Sequence, residues 1–242
     1  MKIRLDKLLV SRQLAATRHK AQAMIGAGQV YVNNNLADKA GSMFAVDCRI
    51  EIRGSGCPYV SRGGFKLAHG LKYFHIDPQG YVCADIGAST GGFTDCLLQN
   101  GARRVYAVDV GYGQLAWELR QDPRVVVMER TNARLLKPGD IPEPLDLVVI
   151  DSSFISLKLL IPPLLVFFGS SPAILALIKP QFEAGKGRVG KGGVVRDQEL
   201  HREIIDEIVR FAADLGLRSN GVTESPILGP KGNREFLVYF SI

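Results

Sequence analysis

Cysteine and histidine are scarce in this 242-residue sequence, four of each, and neither set is arranged for chemistry. Cys48, Cys57, Cys83 and Cys96 form no CxxC pair, and Cys83 and Cys96 fall on apolar faces of their segments. That pattern excludes a disulfide framework and a zinc ribbon, and predicts buried free thiols in a reducing, cytoplasmic setting. His19, His69, His75 and His201 are scattered without ligand spacing, so no metal is expected. Long apolar runs are missing as well. The most apolar stretch, Leu157–Phe168, is broken by Lys158, Pro162 and Pro163, and it falls well short of the ~20 residues of a membrane span. No signal segment is expected, because Met1–Arg4 leads directly into an amphipathic helical pattern.

What the chain does have is an uneven distribution of charge. The net charge is +6, yet residues 1–66 carry 11 Lys and Arg against 4 Asp and Glu, while the remainder carries 19 against 20. The basic excess predicts a polyanion-binding module in the N-terminal quarter and a nearly neutral domain after it. Within that quarter Leu5, Leu8 and Leu9 share one helical face, and Thr17 is placed to cap a second helix over Arg18–Ile25. Val30–Val32 alternates as a strand before the Asn33-Asn34-Asn35 turn, with further strands at Met43–Ala45 and Arg49–Ile52. Two helices and a small sheet with basic residues on the helical face suit the backbone of folded RNA. A solvated basic face or an oligomerisation module are the alternatives. The run RLDKLLVSRQLAATRHKAQAMIGAGQVYVNN resembles the S4-type RNA-binding domain of a small-subunit ribosomal protein, some pseudouridine synthases and tyrosyl-tRNA synthetases. The resemblance extends over residues 3–50 and implies RNA contacts by Arg4, Lys7, Arg12, Arg18 and Lys20.

Gly54-Ser55-Gly56-Cys57-Pro58 reads as a linker, which divides the chain into domains 1–58 and 59–242. After it comes a helix at Phe65–Phe74 and then an alternation. Apolar runs at Val82–Ile86, Val105–Val108, Val125–Met128, Leu145–Ile150 and Ile174–Ile178 are separated by helical patterns at Gly92–Gln99, Gly113–Arg120, Leu157–Phe168 and Gln198–Leu215, with a last strand at Phe236–Ser241. This predicts an α/β domain with a parallel sheet covered on both faces. The first strand runs into a glycine-rich turn and a helix, VCADIGASTGGFT, a design that lets the backbone approach a ligand and offers it free N–H groups. The turn is D-x-G-x-x-x-G and not G-x-G-x-x-G. The next strand ends in Asp109, suited to accept hydrogen bonds from ribose hydroxyls, and a later one ends in Asp151. Together these features resemble the Rossmann-like S-adenosylmethionine-dependent methyltransferases; the turn alone also fits a dinucleotide dehydrogenase. The resemblance implies cofactor contacts by Asp85, Gly87, Ala88, Ser89, Gly91, Gly92, Phe93, Asp109 and Asp151.

Four polar residues stand where a substrate would meet that cofactor: Lys66 in SRGGFKL, Asp151, Lys179 in LALIKPQFE, and Glu235 in GNREFLVYF. The set resembles the K-D-K-E tetrad of ribose 2′-O-methyltransferases of the FtsJ/RrmJ class. A ribose hydroxyl is a poor nucleophile at neutral pH and must be held in line and lose its proton. A free lysine, with a pKa of ~10.4, would be protonated. Burial and a neighbouring cation, Lys66, lower it, while Asp151 opposes that shift and orients the amine. Lys179 is therefore expected to be the base or the hydroxyl-steering group. Asp151-Ser152-Ser153-Phe154 lacks the prolines of the base-amine methyltransferase motif, and no cysteine stands near Asp151 or Lys179 for carbon-5 methylation. The segment QFEAGKGRVGKGGVVRD reads either as a surface loop or as a lid gripping phosphates with Lys186, Arg188 and Lys191.

With YVSRGGFKL, ERTNARLL, DSSFISL, IKPQFEAGK and GKGGVVRD added, nearly the whole chain is similar to the TlyA-type (haemolysin A) family. Membership would imply ribosomal RNA (cytidine) 2′-O-methylation, ribosomal subunits as partner, and a cofactor contact at Asn132. The haemolysin name implies a membrane-lytic role as well, which the sequence does not support. A non-catalytic ribosome-binding protein is the remaining class, and the complete tetrad argues against it.

Overall fold

In the computed structural model of the chain, which describes residues 2–26, 28–52, 57–169, 171–185, 187–190 and 192–242, two units divide at Gly64: Met1–Gly64 and Phe65–Ile242. Gly54, Ser55 and Gly56 of the expected linker lie outside the described residues, as do Lys186 and Lys191.

The first unit runs β1 (Lys2–Arg4), α1 (Leu5–Ser11), α2 (Arg18–Gly26), β2 (Val30–Val32), β3 (Asn35–Leu36), β4 (Met43–Ala45) and β5 (Ile50–Ile52). Its core gathers Leu5, Leu8 and Leu9 of α1, Ala21 and Ile25 of α2, and Val30 and Val32 of β2, the residues that the 3.6 and 2 periodicities put on one side. Thr17 caps α2, its Oγ1 accepting the Lys20 N–H at 3.1 Å. Among this apolar packing sits a fully buried acid, Asp6. Arg4 donates to both its oxygens, and Arg18 and Gln22 donate to Oδ2 at 2.9 and 3.0 Å, tying α1 to α2.

The second unit takes in α3 (Gly63–Tyr73, from Phe65 on), β6 (Val82–Ile86), α4 (Gly92–Gln99), β7 (Arg104–Val108), α5 (Trp117–Gln121), β8 (Val125–Met128), β9 (Leu147–Ile150), α6 (Leu157–Leu164), β10 (Ala173–Ile178), α7 (Pro180–Glu183), α8 (Gln198–Asp214), β11 (Arg218–Glu224) and β12 (Phe236–Ser241). One seven-stranded sheet has the order β11-β12-β10-β9-β6-β7-β8. Its central strands are buried along their whole length, as near-continuous apolar runs require. On one face pack Leu157, Leu160, Ile161 and Leu164 of α6 and Leu200, Ile204, Ile208 and Ala212 of α8. On the other, α3 comes so close that a Cβ on Gly70 would lie 3.0 Å from Leu175.

Two expectations are revised. The sheet is mixed: β6 to β10 are parallel, but β12 pairs antiparallel with both β10 and β11. β11 leaves no strand pattern in the sequence because RSNGVTE is polar and half-exposed, the signature of an edge strand. The helix expected over Gly113–Arg120 shrinks to Trp117–Gln121, because the backbone before it is not helical: Gly113 is left-handed (φ +71) and Ala116 is extended (φ −58, ψ 143).

The strand order reverses at β6. The chain leaves it for β7 and β8 on one side and returns to β9 on the other. A crevice at such a switch point, beyond the carboxyl ends of the strands, is where open α/β sheets bind ligands.

Candidate active site

The end of β6 builds one wall of the crevice. Asp85 is completely buried, and its Oδ2 accepts both the backbone N–H and the hydroxyl of Thr94, at 2.9 and 2.7 Å. The acid therefore anchors the first turn of α4. Burial pushes its pKa up to about 7, with the Thr94 hydrogen bonds pulling the other way and Asp151 adding repulsion. Its Oδ1 has no hydrogen-bond partner among the described residues. Gly87 follows in the left-handed region (φ +86), and a Cβ there would stand 2.8 Å from Ser152 Oγ and 2.9 Å from the Asp151 carbonyl. Only glycine lets the β6 and β9 ends approach so closely. Gly91 and Gly92 open α4, Ala88 and the Phe93 ring are buried, and Ser89 is exposed.

Asp109, at the end of β7, is half-exposed and aimed by two amides, Ser89 N–H on Oδ2 at 2.8 Å and Gly111 N–H on Oδ1 at 2.7 Å. Each oxygen keeps acceptor capacity for a hydroxyl. Asn132 lies after β8 and spends its Oδ1 on the Arg134 N–H at 3.1 Å. A glycine turn that allows close backbone approach and a pinned acid with free lone pairs fit a ribose-bearing cofactor.

The four remaining residues come together from four elements. Lys66 projects from α3, Asp151 follows β9, Lys179 follows β10, and Glu235 precedes β12. Lys179 Nζ is 2.6 Å from Asp151 Oδ1 and donates to Ser153 Oγ at 3.0 Å. Lys66 Nζ is 3.5 Å from Asp151 Oδ2 and donates to Glu235 Oε2 at 2.7 Å. The result is a row of alternating charge, Lys179–Asp151–Lys66–Glu235, with both lysines and Glu235 buried. Burial alone would lower the Lys66 pKa, but Asp151 and Glu235 outweigh it and raise it. Burial would raise Asp151, but Lys66 and Lys179 outweigh it and hold the carboxyl below its usual range. Lys66 is thus a fixed ammonium at neutral pH, and Asp151 a fixed carboxylate between two cations.

Sequence reasoning missed three neighbours. Ser153 is a hydrogen-bond partner of Lys179. Glu183, its pKa raised by burial, clasps the two loops by accepting from Ser156 Oγ at 2.5 Å and Leu157 N at 2.8 Å. Phe154 is 89% exposed on a left-handed backbone (φ +66), its ring 4.9 Å from Phe182. A bulky apolar residue held in that strained conformation beside charged groups is a signal of function.

The basic residues fare unequally. Lys7 and Lys20 are exposed, whereas Arg4 and Arg18 neutralise Asp6, and Arg12 donates to the carbonyls of Cys48 and Val46. Arg188 pairs with Glu203. The second half of the supposed lid is pinned, with Val194 and Val195 buried. The described residues contain no group of His, Cys, Asp and Glu able to hold a metal, and no helix among them is long and apolar enough to cross a membrane.

Residues 59–242 match the family described as FtsJ-like methyltransferase, and residues 3–46 match the S4 domain. The 16S/23S rRNA (cytidine-2'-O)-methyltransferase TlyA of Mycobacterium tuberculosis is 48% identical over 237 residues, 98% of this chain and 88% of that protein. Hemolysin A of Brachyspira hyodysenteriae is 41% identical over 242 residues, 99% of this chain and 100% of that protein. A solved structure, of a hemolysin candidate from Streptococcus thermophilus, superposes with a TM-score of 0.79 at 42% identity, covering 99% of this chain and 88% of that one.

Proposed function

We propose that this chain, which belongs to the FtsJ-like methyltransferase family, methylates the ribose 2′-hydroxyl of a cytidine in ribosomal RNA, working on ribosomal subunits in the cytoplasm. The observation that carries the reading is the Lys179–Asp151–Lys66–Glu235 row, lying at the same sheet edge as the glycine turn. The relatives' names supply the nucleotide, and the S4 domain supports RNA as the substrate.

S-adenosylmethionine, when bound, supplies the methyl group and an uncharged leaving group. The turn at Gly87–Gly92 would hold its methionine end, Asp109 its ribose hydroxyls, and Asn132 would border the base. The chain's own residues handle the acceptor. Lys179 would meet the ribose hydroxyl, orient its lone pair toward the methyl and take or relay its proton. Asp151 and the Ser153 hydroxyl fix the Lys179 amine, removing the rotational freedom of a long side chain before substrate arrives. Lys66 cannot act as the base, because two carboxylates keep it protonated. It balances Asp151 and is held in turn by Glu235. Phe154 would offer a flat apolar surface to an RNA base next to the reacting sugar, and Lys7 and Lys20 of the first unit would contact RNA phosphates.

The experiment is transfer of tritium from labelled S-adenosylmethionine to isolated ribosomal subunits, followed by mapping of the product. A 2′-O-methylcytidine supports the assignment; a methylated base, or no transfer to any rRNA, overturns it.

A further inference from the structure

Two stretches stand outside the chemistry described so far, GKGGVVRD and the loop before β12, and Asn233 joins them. Its side chain, 3% exposed, accepts the Val195 N–H on Oδ1 at 3.1 Å and donates from Nδ2 to the carbonyls of Gly193 and Pro230, each at 3.0 Å. The Asn233 carbonyl accepts the Gly229 N–H at 2.9 Å. The backbone of residues 229–233 is therefore fastened from within and to the neighbouring segment. Gly229 faces the Glu235 carboxylate: a Cβ built on it would lie 2.1 Å from Oε1 and 2.5 Å from Cδ. Its own dihedrals, φ −73 and ψ −175, suit any residue. Space, and not backbone conformation, demands glycine here.

We infer that Gly229 is a positioning residue whose missing side chain leaves room for the Glu235 carboxylate to lie against Lys66. The inference rests on the ribose-methylation reading, in which the Lys179–Asp151–Lys66–Glu235 row holds the acceptor. A methyl at position 229 meets the end of a side chain that is 1% exposed, while the loop behind it is fastened. The carboxylate gives way, Lys66 loses its 2.7 Å partner, and the disturbance passes through Asp151 to Lys179.

The test uses the full chain as Gly229→Ala, Glu235→Asp and the double variant, with methyl transfer to ribosomal subunits, melting temperature and calorimetric S-adenosylmethionine binding measured for each. Gly229→Ala should lose on the order of 10²-fold in kcat/KM, the scale of an ångström-level misplacement, with unchanged cofactor affinity. Glu235→Asp, one methylene shorter, should lose activity too. The double variant should recover about tenfold over Gly229→Ala, because the shorter acid clears the methyl, a non-additivity that independent sites do not show. Wild-type activity in Gly229→Ala, or losses that multiply in the double variant, overturn the inference while leaving the ribose-methylation reading intact. A wild-type chain that transfers no methyl group overturns both. Should Gly229→Ala fail to fold, the double variant must fold; one that stays unfolded overturns the steric argument.

Discussion

Replacing Asp85 by asparagine should change how the stability of the large unit depends on pH. The carboxyl is completely buried, and its pKa rises from 3.8 to about 7. The folded protein therefore keeps the proton up to about pH 7, whereas the unfolded chain releases it near pH 4. Across that window the folded state binds more protons, so stability falls as pH rises. Below the window both states hold the proton and above it neither does. At about 1.4 kcal/mol per pKa step, the loss accumulates to about 4 kcal/mol. The Asp85→Asn side chain cannot ionise and escapes this loss. It also changes the hydrogen bonding at Thr94, but that offset is the same at every pH. Guanidinium unfolding of both proteins followed by circular dichroism, at about pH 4 and about pH 8, brings out the effect, since titrating groups that do not interact with Asp85 cancel in the difference. The variant should gain on the wild type by about 4 kcal/mol over the interval. Stability curves that run parallel would refute the assignment of a protonated acid under the glycine turn.

Lys179→Ala should cut methyl transfer by on the order of 10³-fold while calorimetry shows S-adenosylmethionine binding intact. Phe154→Ala should raise the KM for RNA by the equivalent of about 1–3 kcal/mol of lost base stacking, with cofactor affinity untouched. In the first unit, Asp6→Ala removes the acceptor of Arg4, Arg18 and Gln22, and should cost about 3 kcal/mol, seen as faster hydrogen exchange in α1 and α2. Asp6 is held well below the usual carboxylate range, chiefly by the Arg4 hydrogen bond. Its contribution is present above the ordinary carboxylate pKa and is lost as pH falls, so the wild-type unit should loosen in acid and the variant's exchange should respond less.

The sequence by itself determined what is local. Periodicity and apolar runs placed α1, α2, β6, β8 and β12, because one buried face per helix and the packing of apolar strand residues leave a mark in the local sequence. The glycine turn and the acids ending β6, β7 and β9 were legible because chain direction alone puts strand ends on one edge of a parallel sheet. Tertiary structure decided what depends on distant partners. Asp85 and Asp109 are alike in sequence, yet one is buried and spent on Thr94 while the other is half-exposed and aimed by amides. Arg4 and Arg18, expected as RNA contacts, are also tied to a buried Asp6 by a packing that no local pattern announces. The polar strand β11 exists because β12 offers it a ladder. Lys66 meets Glu235 across 169 residues, and no local pattern states whether that lysine carries its charge; two carboxylates brought to it by the fold do.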